Sequence, residues 1–296
     1  MIRWFVFIGI VLGVGWSCSR ELAVPLPFEG PRLVILAVLS AGESITVTVD
    51  HTYPPTGETL FSAGVTNAKI LLYENNLLVD TLRLLVKNQY VTKSTIRPAI
   101  GKIYRIKVEA PGYPSVESNE EMVPDFPVTR NVNVEKKDKY TLSVTIQDTP
   151  NARNQYEIRF ISYYKKWETA VNLDNLSRPD AITDNCGFRG NQNAFYYRDL
   201  CFDNSSLTTN YGSSLEGTPR FEVDSLYRTI KGNPLAERVV VRVRSVSESY
   251  LKYYQYQSSQ DIEQAFQQPA SRFTNLKGGY GIMLLYAEKS VSLAVP

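Results

Sequence analysis

The chain has 296 residues, 43% of them apolar and 21% charged, with a formal net charge of +2. That balance suits a soluble globular chain of one large or two ordinary domains. Its 32 basic and 30 acidic residues are interspersed, so the electrostatic footprint of a nucleic-acid-binding protein is absent.

Residues 1–17 run from Met1-Ile2-Arg3 through an apolar stretch, Trp4 to Trp16, to Ser17. One positive charge, a short apolar core and a small residue make a secretory signal layout. The run is shorter than the roughly 20 residues a membrane span needs. The sequence Val14-Gly15-Trp16-Ser17-Cys18 resembles a bacterial lipobox. In that pattern the peptide is cut before Cys18, its thiol is diacylated and the new amino terminus is acylated. Gly15 departs from the usual aliphatic residue, and Trp16 is large for its place. Several acyl chains anchor a protein stably where one is marginal. Residues 18–31 carry Pro25, Pro27 and Pro31 and read as an extended lipidated tether.

From Arg32 to Pro124 the apolar period is two. Leu33 to Leu39 is a continuous apolar run, and Ile45 to Val49 alternates as a half-buried strand. Ala68 to Tyr73 leads through Glu74-Asn75-Asn76 into a return strand, Leu77 to Leu85. Tyr104 to Glu109 alternates most clearly. Short strands separated by turn signals predict an immunoglobulin-like β-sandwich over 32–124.

A second β domain, also a sandwich, is expected over 127–296. Tyr140 to Ile146 and Tyr156 to Phe160 alternate strictly. Residues 167–235 break that rhythm. They are rich in Asn, Ser, Gly and Asp, and read as a long insertion. Cys186 and Cys201 lie within it; in an exported chain they read as a disulfide. Such a bond closes a loop of about 15 residues, worth roughly 3 kcal/mol. The rival readings, a metal site or a catalytic thiol, lack support because His51, the single histidine, is far away in sequence. Phe195, Tyr196 and Tyr197 form a dense aromatic patch, either core or a candidate binding surface. Strand pattern resumes at Arg238 to Arg244. Ser245-Val246-Ser247-Glu248 then has capping-box spacing before a helix over 247–267. Gly278-Gly279-Tyr280-Gly281 makes a turn before two last strands, Ile282 to Ala287 and Ser290 to Val295.

The lipobox, the tether, Val65 to Glu74, Gly101 to Pro114, Ser247 to Tyr250 and Asn275 to Ile282 follow one another in a particular order and spacing. Together they resemble the domain-of-unknown-function-4249 family of Bacteroidota lipoproteins, over essentially the whole chain. The resemblance implies an all-β lipoprotein of the outer membrane, often found beside TonB-dependent β-barrel transporters; the chain is expected to face the cell surface, with such a transporter or another outer-membrane complex as partner. It brings no catalytic residues. Of the acidic export signal expected after the cysteine, only Glu21 is present. Asp80-Thr81-Leu82 and Asp224-Ser225-Leu226 resemble that group's O-glycosylation triplet, making Thr81 and Ser225 candidate acceptors.

The residues themselves suggest no enzyme, cofactor or metal. His51 lacks a second histidine or a nucleophile elbow. Asp180 with Asp184, and Glu120 with Glu121, are carboxylate pairs of the kind glycoside hydrolysis uses, but such pairs are common by chance. Asp180, Asp184, Asn185, Asp203 and Asn204 lack EF-hand spacing and read as solvated loop polarity. The expected function is a binding or accessory subunit of a transporter. The alternative is a structural or assembly component of the envelope, with a hydrolase ranked last.

Overall fold

The computed structural model describes residues 28, 30–54, 64–93, 95–150, 153–164, 169–172, 186–190, 194–213, 215, 220–223, 226–229, 235–258 and 273–296. The signal segment, Cys18, most of the tether, Asp180, Asp184, Asn185 and Ser225 lie outside these residues.

The first strands are Leu33–Ser40 (β1), Thr46–His51 (β2), Lys69–Glu74 (β3), Leu77–Thr81 (β4), Arg83–Val86 (β5) and Gln89–Val91 (β6). Ile103–Glu109 (β7), Val116–Ser118 (β8) and Glu121–Met122 (β9) follow. Next come Val128–Lys136 (β10), Tyr140–Gln147 (β11), Gln155–Tyr164 (β12), Thr169–Asn172 (β13), Gly187–Arg189 (β14), Phe195–Arg198 (β15) and Ser206–Ser213 (β16). Among the described residues, Arg220–Val223 (β17) and Leu226–Thr229 (β18) pair with each other as a two-stranded sheet. Arg238–Val246 (β19) leads into Glu248–Ser258 (α1), followed by Leu276–Lys277 (β20) and Tyr280–Ala294 (β21). The chain is all-β with a single α-helix among the described residues, as its period-two patterning implies.

A ten-stranded sheet runs β14-β15-β12-β19-β21-β1-β2-β6-β5, with β13 beside β12. Two smaller sheets cover one face of it. The sheet β20-β8-β7-β3-β4, with β9 on β7, closes a core with Leu33, Ile35, Ala37 and Leu39 of β1 and Met283, Leu285 and Ala287 of β21. The sheet β10-β11-β16 closes a second core against β12, β15 and β19, built on Leu142, Val144, Ile158, Phe160, Val241 and Val243. The two sandwiches therefore share one sheet and are not consecutive along the chain. Burial alternates strictly in β1 at Leu33, Ile35 and Ala37 and in β7 at Tyr104, Ile106 and Val108, as the pleat requires.

β21 joins the halves. Tyr280 to Tyr286 pairs in parallel with Val34 to Ser40. Tyr286 to Ala294 then pairs antiparallel with Val246 to Arg238. Gly281 makes the first pairing possible: its φ is +106°, and an added Cβ would run into the Ile35 carbonyl.

The structure departs from the sequence expectations at four places. The segment read as one strand, Leu77 to Leu85, is two strands in different sheets. The crossover is Leu82, which is buried between the sheets and donates its N–H to the Ile70 carbonyl at 3.0 Å. The two final strands are one continuous strand, β21. The described parts of the stretch read as an insertion supply β13, β14 and β15 to the main sheet and β16 to the second sandwich. β16 hid because its inward positions include Thr209 and Ser213, small polar groups that blur the apolar period. Finally, α1 is capped by Ser247, whose Oγ accepts the Tyr250 N–H at 3.4 Å, while Ser245 belongs to β19. Of the expected helix 247–267, the part after Ser258 lies outside the described residues.

Because Leu276, Met283, Leu285 and Ala287 fill the first core, a fragment of residues 32–124 is predicted to remain unfolded. Its circular dichroism is expected to show no cooperative thermal transition. A cooperative melt with dispersed amide resonances from that fragment refutes the shared-strand account.

Candidate functional site

The densest polar constellation lies on the face of the ten-stranded sheet that α1 covers. Alternation in β12 sends Tyr156, Ile158 and Phe160 into the second core and turns Glu157 and Arg159 to the other face. Glu157, Arg244 and Glu288 stand side by side across β12, β19 and β21. The Glu157 side chain is 0% exposed. Its Oε1 accepts from Arg159 Nε and from the Tyr196 hydroxyl at 3.4 Å. Its Oε2 accepts from Tyr250 Oη at 2.6 Å and Arg244 Nη1 at 3.3 Å. Arg244 Nε donates to Glu288 Oε2 at 2.7 Å, and its guanidinium stacks 4.3 Å from the Tyr286 ring centre.

These contacts set the protonation states. Burial works against the Arg244 charge, but Tyr250, Glu157, Tyr286 and Glu288 outweigh it and hold the guanidinium above its ordinary range. Burial, then the Glu157 carboxylate, pushes the Tyr250 phenol well up, so it stays a donor. An aromatic run continues outward. Phe188 stacks on Tyr196 at 4.7 Å, Tyr196 on Tyr254 at 5.4 Å, and Tyr254 contacts Tyr250 at 5.0 Å. With both Glu157 oxygens engaged, this constellation fastens α1 to the sheet and offers no free base.

Phe195, Tyr196 and Tyr197, weighed as a binding surface, are instead interior, at 0%, 0% and 1% exposure. β15 is covered on both faces. Phe195 and Tyr197 meet Tyr211 in the second core, with Tyr197 and Tyr211 hydroxyls 2.7 Å apart, while Tyr196 lies under α1. Cys186 and Cys201 form the expected disulfide, with Cα atoms 5.7 Å apart. The bond staples the open end of the β14–β15 hairpin, where Arg198 N–H also donates to the Cys186 carbonyl at 2.8 Å.

The remaining candidates are scattered. His51 ends β2, its ring 4.5 Å from Tyr53 and 5.8 Å from Tyr113. Glu121 accepts from the Asn275 side chain at 3.1 Å, whereas Glu120 is exposed. Asn204 gives its main-chain N–H to Asp148 at 3.1 Å. Thr81 is half-buried at the end of β4, its N–H donating to Asp80 at 2.7 Å.

Sequence reasoning missed a further pair of carboxylates, Asp148 and Asp199, both buried and both bonded by Asn154. Asp148 accepts from Tyr156 Oη at 3.0 Å and the Asn154 side chain at 3.1 Å. Asp199 accepts the Asn154 N–H at 2.5 Å. Burial first, and then Asp148 and Asp203, raise the Asp199 carboxyl above its ordinary value, against the pull of the Asn154 hydrogen bond.

Three surface features could meet a partner. An open groove of about 470 Å³ at the end of α1 is lined by Lys252, Gln255, Tyr256 and Phe273. One rim of the first sandwich exposes Leu77 at 70%, Leu78 at 56% and Met122 at 57%. At the edge of the ten-stranded sheet, β5 exposes Leu84 at 39%, Leu85 at 52% and Val86 at 53%.

The family model described as "Domain of unknown function (DUF4249)" matches residues 19–292. No curated protein matches the chain. Among solved structures, a DUF4785 family protein from Legionella pneumophila is 9% identical with a TM-score of 0.24, and the alignment covers 73% of this chain. This chain spans 52% of that protein's length.

Two outcomes follow from the buried groups. Glu157→Ala removes the buried carboxylate shared by Arg159 and Arg244, leaving Arg244 with Glu288 alone, and is predicted to cost about 3–5 kcal/mol in denaturant unfolding. A loss below about 1 kcal/mol contradicts the fastening role. For Asp199, a raised folded-state pKa means stability that is full below the ordinary aspartate pKa and lost as pH rises through the folded value. Asp199→Asn is therefore predicted to flatten the pH dependence of the melting temperature just above the ordinary carboxylate range. An unchanged profile argues against the assignment.

Proposed function

The chain belongs to the DUF4249 family, and from that premise we propose that it is an exported outer-membrane lipoprotein. It is anchored through Cys18, faces the cell surface, and serves as a binding or accessory subunit of a TonB-dependent transporter. The observation that carries the extracytoplasmic part is the Cys186–Cys201 disulfide, because such bonds persist in oxidising compartments. The lipobox-like Val14 to Cys18 supplies the anchor. The docking part draws on the family resemblance and on the exposed aliphatic rims at β4 and β5, since contiguous exposed apolar surface suits a protein partner.

Cys18→Ala is expected to abolish acyl labelling and release the protein from membranes. Continued partitioning with acyl label on that variant refutes the anchor. Native protein extracted in mild detergent is expected to bring a stoichiometric β-barrel with it. A lone lipoprotein, or one held in an assembly machine, favours the structural alternative.

A further inference from the structure

The ten-stranded sheet ends on β5, whose outer backbone edge has no strand partner among the described strands. Soluble proteins blunt such edges by placing charge in the middle of the strand. β5 does the reverse. Its centre is Leu84-Leu85-Val86 and its charges are at the ends, Arg83 and Lys87. A register shift between Leu84 and Val86 marks a bulge at Leu85. All three side chains are exposed where an ordinary pleat would alternate.

The charge along this stretch of the chain has one sign. From Thr81 to Val108 the sequence contains no acidic residue. Arg83, Lys87, Lys93 and Arg97 are all exposed, and among the described residues Arg83, Lys87 and Lys93 have no ion-pair partner. The nearest carboxylate in sequence, Asp80, is occupied by backbone amides, accepting from Thr81 N at 2.7 Å and Lys93 N at 3.0 Å.

We propose that β5 is a docking edge for an extended polypeptide segment of a partner protein, aliphatic at its centre and acidic at its flanks, which adds to the sheet as a further strand. The inference deepens the accessory-subunit reading and rests on it. Backbone bonding supplies the register, and Leu84, Leu85 and Val86 bury against the partner's aliphatic residues. Arg83 and Lys87 select acidic flanks. Two other occupants are disfavoured on physical grounds. A lipid surface would strand the open N–H and C=O groups in hydrocarbon, where each is costly. A second copy paired antiparallel through β5, with Leu84 opposite Val86, would set Arg83 against Lys87, and like charges placed opposite each other repel.

The test uses the full-length protein in nonionic detergent. The probe is a synthetic peptide with a Val-Thr-Val-Thr-Val centre and acidic residues at both ends. It is compared with the same peptide bearing Lys ends and with phosphatidylglycerol vesicles. The acidic peptide is expected to bind and to slow hydrogen exchange at the amides of Arg83–Val86. The double variant Arg83→Glu, Lys87→Glu is expected to bind it about tenfold more weakly and to gain affinity for the Lys-ended peptide. Equal binding of both peptides, exchange protection elsewhere, vesicle binding without peptide binding, or self-association through β5 each overturn the proposal. A photoreactive side chain at Leu85 separates the two levels of inference. If a β-barrel co-isolates but Leu85 does not crosslink to it, the docking edge is wrong and the accessory reading stands. If the peptide protects β5 but no barrel co-isolates, the edge stands and the accessory reading falls.

Discussion

One strand holds the architecture together. β21 is 15 residues long, and its two halves solve different packing problems. The first half lies parallel to β1 and fills the first core with Met283, Leu285 and Ala287. The second half pairs with β19 and sends Leu293 toward the second core. On the opposite face Ile282 and Leu284 pack beneath α1. A one-residue slip of this strand would exchange its two faces and empty all three clusters at once. The parallel pairing with β1 also closes a loop from the beginning of the domain to its end, a costly contact to form early.

A sheet face that is not sandwiched usually meets water. Here part of it becomes a third packed layer because α1 covers it. The cover brings tyrosines, whose rings bury area while their hydroxyls seek partners. Those partners are the charges that β12, β19 and β21 already hold in a row. Glu157, Arg244 and Glu288 alternate in sign across neighbouring strands, so each is flanked by an opposite charge before the helix arrives. Tyr250 and Tyr196 then complete the Glu157 shell. The helix is thus placed by a polar requirement of the sheet as much as by its own apolar residues, and its modest amphipathicity agrees with that.

What could be read in the sequence was whatever depends on one strand at a time. β7, β11 and β12 each have an apolar face, and their period is visible in the residues alone, whereas β1 is an unbroken apolar run whose alternation appears only in its burial. What could not be read depends on which sheet a residue joins. Leu82 lies within the segment Leu77 to Leu85 that reads as one strand, yet it is where the chain leaves one sheet for the other; nothing local distinguishes it from an inward-facing strand residue. Phe195, Tyr196 and Tyr197 are consecutive aromatics because β15 is covered on both faces, the same pattern an exposed recognition loop would show. Ser247 and Ser245 both fit a cap, and only the end of β19 decides between them. Glu157 carried no motif, because apart from Arg159 its partners come from β15, β19 and α1, far apart in the chain.

The two edges of the ten-stranded sheet are finished in opposite ways. At one edge β14 is three residues long, and the Cys186–Cys201 disulfide closes its hairpin with β15. A short strand fixed covalently offers little template for another chain. At the other edge β5 is aliphatic at its centre, bulged and basic at its ends. Among the described strands of that sheet, β13 and β14 also have a single partner, β13 on the far half of β12 and β14 at the stapled hairpin. Had the chain needed only to avoid aggregation, the protection given to β14 would serve equally well at β5, where a single central charge would suffice. That these exposed aliphatic residues sit on an edge with no strand partner among the described strands, within a stretch free of acidic residues, is what distinguishes a reserved strand position from ordinary surface.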